Sequence, residues 1–323
     1  MVLAAAEDHR IAVGTVPAGT YVGFPLQKCQ DTPGSGIRFC AIRQFLFDPA
    51  DIDDLSLVQR GAPGDKFLLD KQIHQIQKTH QHLKIYTSHM SNTLKNIIID
   101  LQNLNDPVKA EILSKFFKTG KGQYGEGDIF LGIKVPEQRK VAKKYTGLTL
   151  DDISHLMKSE IHEFRLTALF ILVLKYKKED THGKQEIVDF YLRNTENINN
   201  WDLVDSSAHY ILGDFLLDKD RSILYELARS ENLWERRIAM LSTFAFIKNE
   251  QFEDALNISE ILLFDKHDLI HKAVGWMLRE IGKSDLKTED EFLQKHYNEM
   301  PRTMLRYAIE KFDEEKRNFY LGR

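Results

Sequence analysis

Trp201 and Asp205 lie four residues apart, and Lys272, Trp276 and Arg279 follow an i, i+4, i+7 spacing. On helices each set occupies one face. Cations in a row suit phosphates spaced along a nucleic-acid backbone. Indole faces offer apolar and cation–π surface to sugars and to a positively charged base. A carboxylate among them repels DNA, so it needs a reason, and stabilising positive charge that develops during a reaction is one. Taken singly, a helical Trp is most often core, as Trp234 reads, while a lone Asp is a cap or surface group and a lone Arg faces water. Jointly these residues fit a core poorly, because burying charges is costly unless they are paired.

Other chemistry finds no support. Gly120-Lys-Gly122-Gln-Tyr-Gly125 matches a G-x-G-x-x-G string, but a helical pattern precedes it where a dinucleotide site needs a strand, so it reads as an inter-helix loop. No H-E-x-x-H, Walker A or C-x-x-C occurs. Ser206 and Ser207 crowd Asp205 and His209 too closely in sequence for a triad. Cys29 and Cys40 alone make neither a disulfide framework nor a four-ligand zinc site. The expectation is therefore no metal and no cofactor.

The elements that must position the stripe are helices. Leu94, Ile97, Ile98 and Leu101 mark one helical face. Asp106-Pro107 reads as a cap with a first-turn proline, Pro136 and Pro301 repeat the first-turn signal, and Thr149-x-x-Asp152 and Thr288-x-x-Glu291 read as capping boxes. Strand alternation is missing after Met90, so this part is all-α. Arg165, Arg237 and Lys272 open similar strings 72 and 35 residues apart, and Trp201 stands where an intermediate repeat would begin. A period near 36 in paired helices indicates an α-solenoid. The tetratricopeptide signature is absent, which favours HEAT-like antiparallel pairs in a right-handed superhelix with a concave inner face. In that register Trp201 matches Lys272 and Asp205 matches Trp276, and the stripe also takes in Arg165 and Arg237.

Residues 1–89 differ in kind. They hold five of the eight prolines and both cysteines, residues 1–66 show no sustained period and residues 67–89 only a weak helical one, so an irregular or disordered N-terminal extension is expected, with a domain over 90–323. His74, His80, His82 and His89 suit a polar linker better than a metal tract, since no spacing repeats. Were Met90 the natural start, the native protein's intact mass would begin near residue 90. No run approaches a membrane span, the first residues lack a secretory pattern, and the chain reads as intracellular, of cytoplasmic, nucleoid-associated type. The net charge is −4 over 323 residues, which excludes a uniform DNA coat. Residues 1–89 carry nine charges of each sign, so the whole −4 belongs to the helical part. Binding nucleic acid then demands segregation, with cations on the inner stripe and carboxylates, Asp205 excepted, mostly on outer helices.

Asn200-Trp201-Asp202-Leu203-Val204-Asp205-Ser206, then Trp234-Glu-Arg-Arg237, then Lys272-Ala-Val-Gly-Trp276-Met-Leu-Arg279 resembles the AlkD family of alkylpurine DNA glycosylases. Phe130-Leu-Gly-Ile-Lys-Val-Pro-Glu137 and Pro301-Arg-Thr-Met-Leu-Arg306 add to the resemblance, which spans roughly residues 92–312. It implies a HEAT-like solenoid that holds duplex DNA on its concave face. It also implies excision of positively charged N3- and N7-alkylpurines without metal, cofactor or obligatory base flipping. By motif position it implies Asp205 as catalytic carboxylate, Trp201 and Trp276 as the aromatic pair, and Arg237 as a phosphate contact. Tyr124, Lys272, Arg279 and Arg165 are further DNA-contact candidates. A monomer suffices for isolated lesions. The alternatives are a catalytically silent HEAT-like scaffold binding DNA or protein, and an RNA-binding solenoid that prefers single strands.

Overall fold

The computed structural model describes residues 91–322, and the readings made for residues 1–90 and for the starting residue lie outside them. Among the described residues there are fourteen α-helices, and the one β-type contact is an isolated bridge between Ile129 and Ile161. Helices α1 (Asn92–Gln102) and α2 (Pro107–Phe116) lead into α3 (Val135–Lys144), α4 (Leu150–Met157), α5 (His162–Tyr176) and α6 (Thr181–Arg193). A short α7 (Trp201–Asp205) continues through a π-helical turn, His209–Gly213. Then come α8 (Ser222–Ala228), α9 (Leu233–Ile247), α10 (Glu253–Ile261), α11 (Asp268–Ser284), α12 (Leu286–His296), α13 (Arg302–Ala308) and α14 (Glu314–Leu321).

The stacking follows from which helices can afford exposure. In α5 every residue from His162 to Val173 is buried, as is Tyr176, because neighbours cover it on all sides. Helices α3, α5, α7, α9, α11 and α13 form one row in which each packs on the next. Helices α4, α6, α8, α10 and α12 form a second row against it. This is the expected HEAT-like α-solenoid. No described helix is long and apolar enough to cross a membrane, the Leu166–Leu174 run included.

Helix starts obey local chemistry. Asp106 accepts from the Lys109 N–H at 3.2 Å with Pro107 opening α2. Thr149 and Asp152 form the reciprocal box at 3.1 and 3.4 Å. The box expected at Thr288-x-x-Glu291 is not formed. Asp285 caps α12 instead, accepting from the N–H groups of Lys287 at 3.0 Å and Thr288 at 3.2 Å. An anionic cap three residues upstream starts the helix earlier and leaves Thr288 inside it. Pro301 is the residue just before α13, not within its first turn.

The G-x-G-x-x-G string is an inter-helix loop, as expected. Gly125 sits so close to the Phe117 carbonyl that a Cβ would collide with it, and this approach folds the loop carrying Tyr124 back over the helical row. Gly132 has φ +82° and lies against the Asp106 carbonyl, with the Ala110 nitrogen 2.7 Å from where a Cβ would stand.

Candidate functional site

Helix starts at 162, 201, 233 and 268 put Asp205, Arg237 and Lys272 at one repeat position, four residues past each start. Trp201 is the first residue of its helix and shares no register with Lys272. This corrects the alignment expected from an even 36-residue period, because the connections between repeats differ in length. Arg165 lies one residue earlier, in register with Arg236 and His271. Each of those three returns to a backbone carbonyl six residues upstream: Arg165 to Ser159 at 2.7 Å, Arg236 to Ser230 at 2.9 Å and His271 to Asp265 at 2.5 Å. Arg165 is 3% exposed and its guanidinium also donates to Asp128 at 2.6 Å. Its guanidinium is thus held inside the fold by a backbone carbonyl and a carboxylate instead of standing on an open stripe.

Asp205 and Arg237 meet across adjacent helices in a two-pronged pair. Arg237 Nε donates to Oδ1 at 2.9 Å and Nη2 to Oδ2 at 2.8 Å, while Nη1 donates to the Leu269 carbonyl at 2.5 Å. This guanidinium, 4% exposed, ties α7, α9 and α11 together and has no face left for a phosphate. The expected phosphate contact is thus a carboxylate clamp. Burial lifts the Asp205 carboxyl above the usual carboxylate range and the Asp202 charge adds to this, against the Arg237 charge and hydrogen bonds. Both carboxylate oxygens accept from the fork, a geometry that requires the ionised form.

Trp201 is held by a pile of rings. Its indole stacks on Phe117 (centroids 5.2 Å, 13°), Phe117 stacks on Phe130 (5.0 Å), and Phe130 stacks on the His162 imidazole (4.6 Å). Beneath lies a buried ionic network that sequence reasoning missed. His162 bridges Asp128 (Nδ1, 3.1 Å) and Asp202 (Nε2, 2.8 Å). Asn200, which accepts from the Trp201 N–H at 2.8 Å, also donates to Asp128 at 3.3 Å. Burial alone would lower the His162 pKa, but the Asp202 charge and the bonds to Asp128 and Asp202 raise it to about 9. Burial pushes Asp128 upward, yet the His162 bond and the charges of Arg165 and His162 hold it below the usual range. These partners are 34–40 residues apart in sequence, so no short motif announces them; a His-Glu pair opening a helix was the faint signal.

Tyr124 joins this group. Its ring is edge-on to Trp234 at 6.0 Å; burial raises its hydroxyl pKa, while a hydrogen bond with Trp201 and the Lys272 charge act in the opposite sense. Trp234 is buried, as expected. Lys272 pairs with Asp268 at 2.7 Å, and that bond raises its pKa further. On the next turn the Trp276 indole N–H donates to Glu280 at 3.0 Å, and Glu280 also pairs with Lys283 at 2.6 Å and lies 3.8 Å from Arg279. Arg279 further bonds Glu310. The expected segregation of charge is therefore absent here. Asp202, Asp205, Asp268 and Glu280 each stand beside a cation of the same row. Lys177 and Lys248, which end helices α5 and α9, are exposed and form no ion pair among the described residues; each lies over a ring, Tyr210 at 4.8 Å and Phe244 at 5.0 Å. Among the described residues no cluster of three or more His, Cys, Asp or Glu could hold a metal ion.

Residues 97–312 match the profile of the family described as DNA alkylation repair enzyme. No curated protein matches the chain. Among solved structures it is similar to a predicted DNA alkylation repair enzyme from Enterococcus faecalis, at 16% identity and TM-score 0.52, over 65% of this chain and 97% of that one. It is also similar to AlkD2 from Streptococcus mutans, at 19% identity and TM-score 0.42, over 64% and 99%.

Proposed function

The chain belongs to the DNA alkylation repair enzyme family, and from that premise we propose that it is an N-glycosylase removing positively charged N3- and N7-alkylpurines from duplex DNA. The observation that carries this reading is Asp205: an ionised carboxylate in the row that α7 shares with α5, α9 and α11, four residues after a ring-stacked Trp201 and fixed by two bonds from Arg237. A scaffold has no use for a carboxylate clamped where DNA would lie.

Alkylation at N3 or N7 places a formal positive charge on the purine. The C1′–N bond then breaks with its electron pair going to the base, which departs neutral, so no general acid is needed. The sugar is left as an oxocarbenium-like cation, the charge that a fixed carboxylate stabilises. Water adds its oxygen at C1′ and gives up a proton, for which Asp205 is the nearby acceptor. Arg237 keeps the carboxylate in one orientation before the charge appears. Trp201 and Trp276 are the apolar surfaces for the lesion's sugar-phosphate backbone, while Tyr124, Lys272, Arg279, Lys177 and Lys248 supply polar and cationic contacts to DNA. Residues 90–323 make up this domain, and it acts as a monomer.

The test is chromatography of bases released from methylated duplex DNA. Release of 7-methylguanine or 3-methyladenine supports the reading. Salt-sensitive duplex binding without release identifies the scaffold, and preference for single strands identifies the RNA-binding alternative.

A further inference from the structure

The two residues that flank Trp201 are both tied to one buried ionic group. On one side Asn200, fully buried, accepts from the Trp201 N–H at 2.8 Å and donates to Asp128 at 3.3 Å. On the other side Asp202 accepts from His162 Nε2 at 2.8 Å, and the same imidazole donates through Nδ1 to Asp128 at 3.1 Å. The Trp201 indole is one end of the ring pile, and the other end is that imidazole, 4.6 Å from Phe130 and 4.9 Å from Phe117. Backbone and ring of Trp201 thus lead to one side chain, His162.

Helix α7 needs such an anchor. At five residues it is too short to hold itself. Arg237 fixes its far end at Asp205, and the links to His162 and Asp128 fix its start. A buried ionic network is weak evidence of stability, since well-packed apolar groups often serve as well or better. What this one supplies is orientation, because a ring closed in by other rings aims two donors at fixed angles.

We propose that His162 is a positioning residue: acting through Asp128, Asn200, Asp202 and the stacked rings, it holds the Trp201 indole in the orientation that meets the lesion's sugar-phosphate backbone. This rests on the glycosylase reading for the role of Trp201. His162 is 1% exposed and touches no substrate itself. Only the charged imidazole makes both bonds, because the neutral ring has a single donor. The charged groups that face it are Asp128 from the loop between α2 and α3, Asp202 from α7 and Arg165 from its own helix. Raising the pH through about 9 removes the proton, breaks one of the two links and releases the first turn of α7.

The test labels the full chain with fluorotryptophan and follows it by fluorine NMR as the pH is raised, with the Trp201 resonance assigned by Trp201→Phe. Among the three tryptophans, the Trp201 resonance should move with a midpoint near pH 9, while Trp234 and Trp276 serve as internal controls. Tyr124, which also neighbours Trp201, has its hydroxyl pKa raised above the ordinary tyrosine value and titrates later. Asp202→Asn removes the largest of the influences that raise the His162 pKa, so the midpoint should fall; a merely structural role leaves it in place. At neutral pH, His162→Gln should displace the resonance and slow single-turnover base release roughly tenfold to a hundredfold, with affinity for undamaged duplex unchanged. The wild-type titration needs no substitution, so it decides even where a variant fails to fold. A Trp201 resonance that does not titrate, or a midpoint indifferent to Asp202→Asn, overturns the proposal, as does base release by His162→Gln at the wild-type rate. If wild type releases no base while the resonance titrates as described, the glycosylase reading fails and the positioning of Trp201 by His162 stands.

Discussion

His162 makes stability depend on pH in a way that can be worked out from its surroundings. Its imidazole is 1% exposed and lies between two carboxylates, so both ring nitrogens must donate and the charged form is required. Neutral imidazole has one donor only and would turn a lone pair toward a carboxylate. Its folded-state pKa of about 9 is raised above the ordinary histidine value of 6.5. Because the folded value is the higher, the contribution is complete below the unfolded pKa and disappears as pH rises through the folded one. Each unit is worth about 1.4 kcal/mol, so the loss is on the order of 3 kcal/mol across this window. The assay is urea unfolding at pH 6.0 and 9.5, with His162→Gln as reference to cancel every other titrating group. Wild type should lose about 3 kcal/mol more than the variant between the two conditions. Parallel losses in the two proteins would refute the claim that a charged imidazole holds Asp128 and Asp202 together under Trp201.

Other expectations follow from the same geometry. Arg237→Gln breaks a buried pair and should cost roughly 3 kcal/mol in unfolding, near the low end for such losses because Asp205 retains 19% exposure. The same variant should lose base release while the salt dependence of duplex binding stays as in wild type. Lys248→Ala should do the reverse, weakening binding across sequences and reducing the log–log salt slope by about 1 in fluorescence anisotropy. The acid limb of kcat/KM should lie above the ordinary carboxylate range, since burial raises Asp205, and activity should fall as pH drops through that raised value; a limb at or below the ordinary range counts against Asp205. Gly275→Ala meets the Tyr307 Cβ at 2.6 Å and the Met304 carbonyl closer still, so it should lower stability by about 1–3 kcal/mol in the same urea assay.

The helical architecture was legible because it is written locally. Apolar spacing in Leu94–Leu101, the Asp106-Pro107 start and the Thr149 box each depend on a few neighbouring residues, and all three formed as read. The repeat was visible, but its phase was not. An even period aligned Arg165 with Arg237, whereas unequal connections shift the true equivalent to Arg236, and one residue separates a structural arginine from one that clamps a carboxylate. What sequence could not offer was partnership over distance. The residue types at 201, 205 and 237 pointed to the site, yet whether Arg237 faced phosphate or Asp205 depended on where α9 lay beside α7. The His162 network was likewise invisible, since its carboxylates come from a loop and from another helix. Charge followed the same logic. Segregation was the simplest way to fit −4 onto a DNA-binding protein, and the fold instead pairs the carboxylates of this row with cations one by one, while the helix-end Lys177 and Lys248 lie over rings.

The central claim is that Asp205 carries the chemistry, and single-turnover release of 7-methylguanine from methylated duplex DNA tests it most directly. Asn at this position keeps the size and one acceptor for Arg237 but removes the negative charge. Loss of one fixed electrostatic stabiliser typically costs about 100–1,000-fold in rate, so Asp205→Asn should release base at least ~100-fold more slowly than wild type with duplex affinity no weaker. Equal rates in the two proteins would contradict the account.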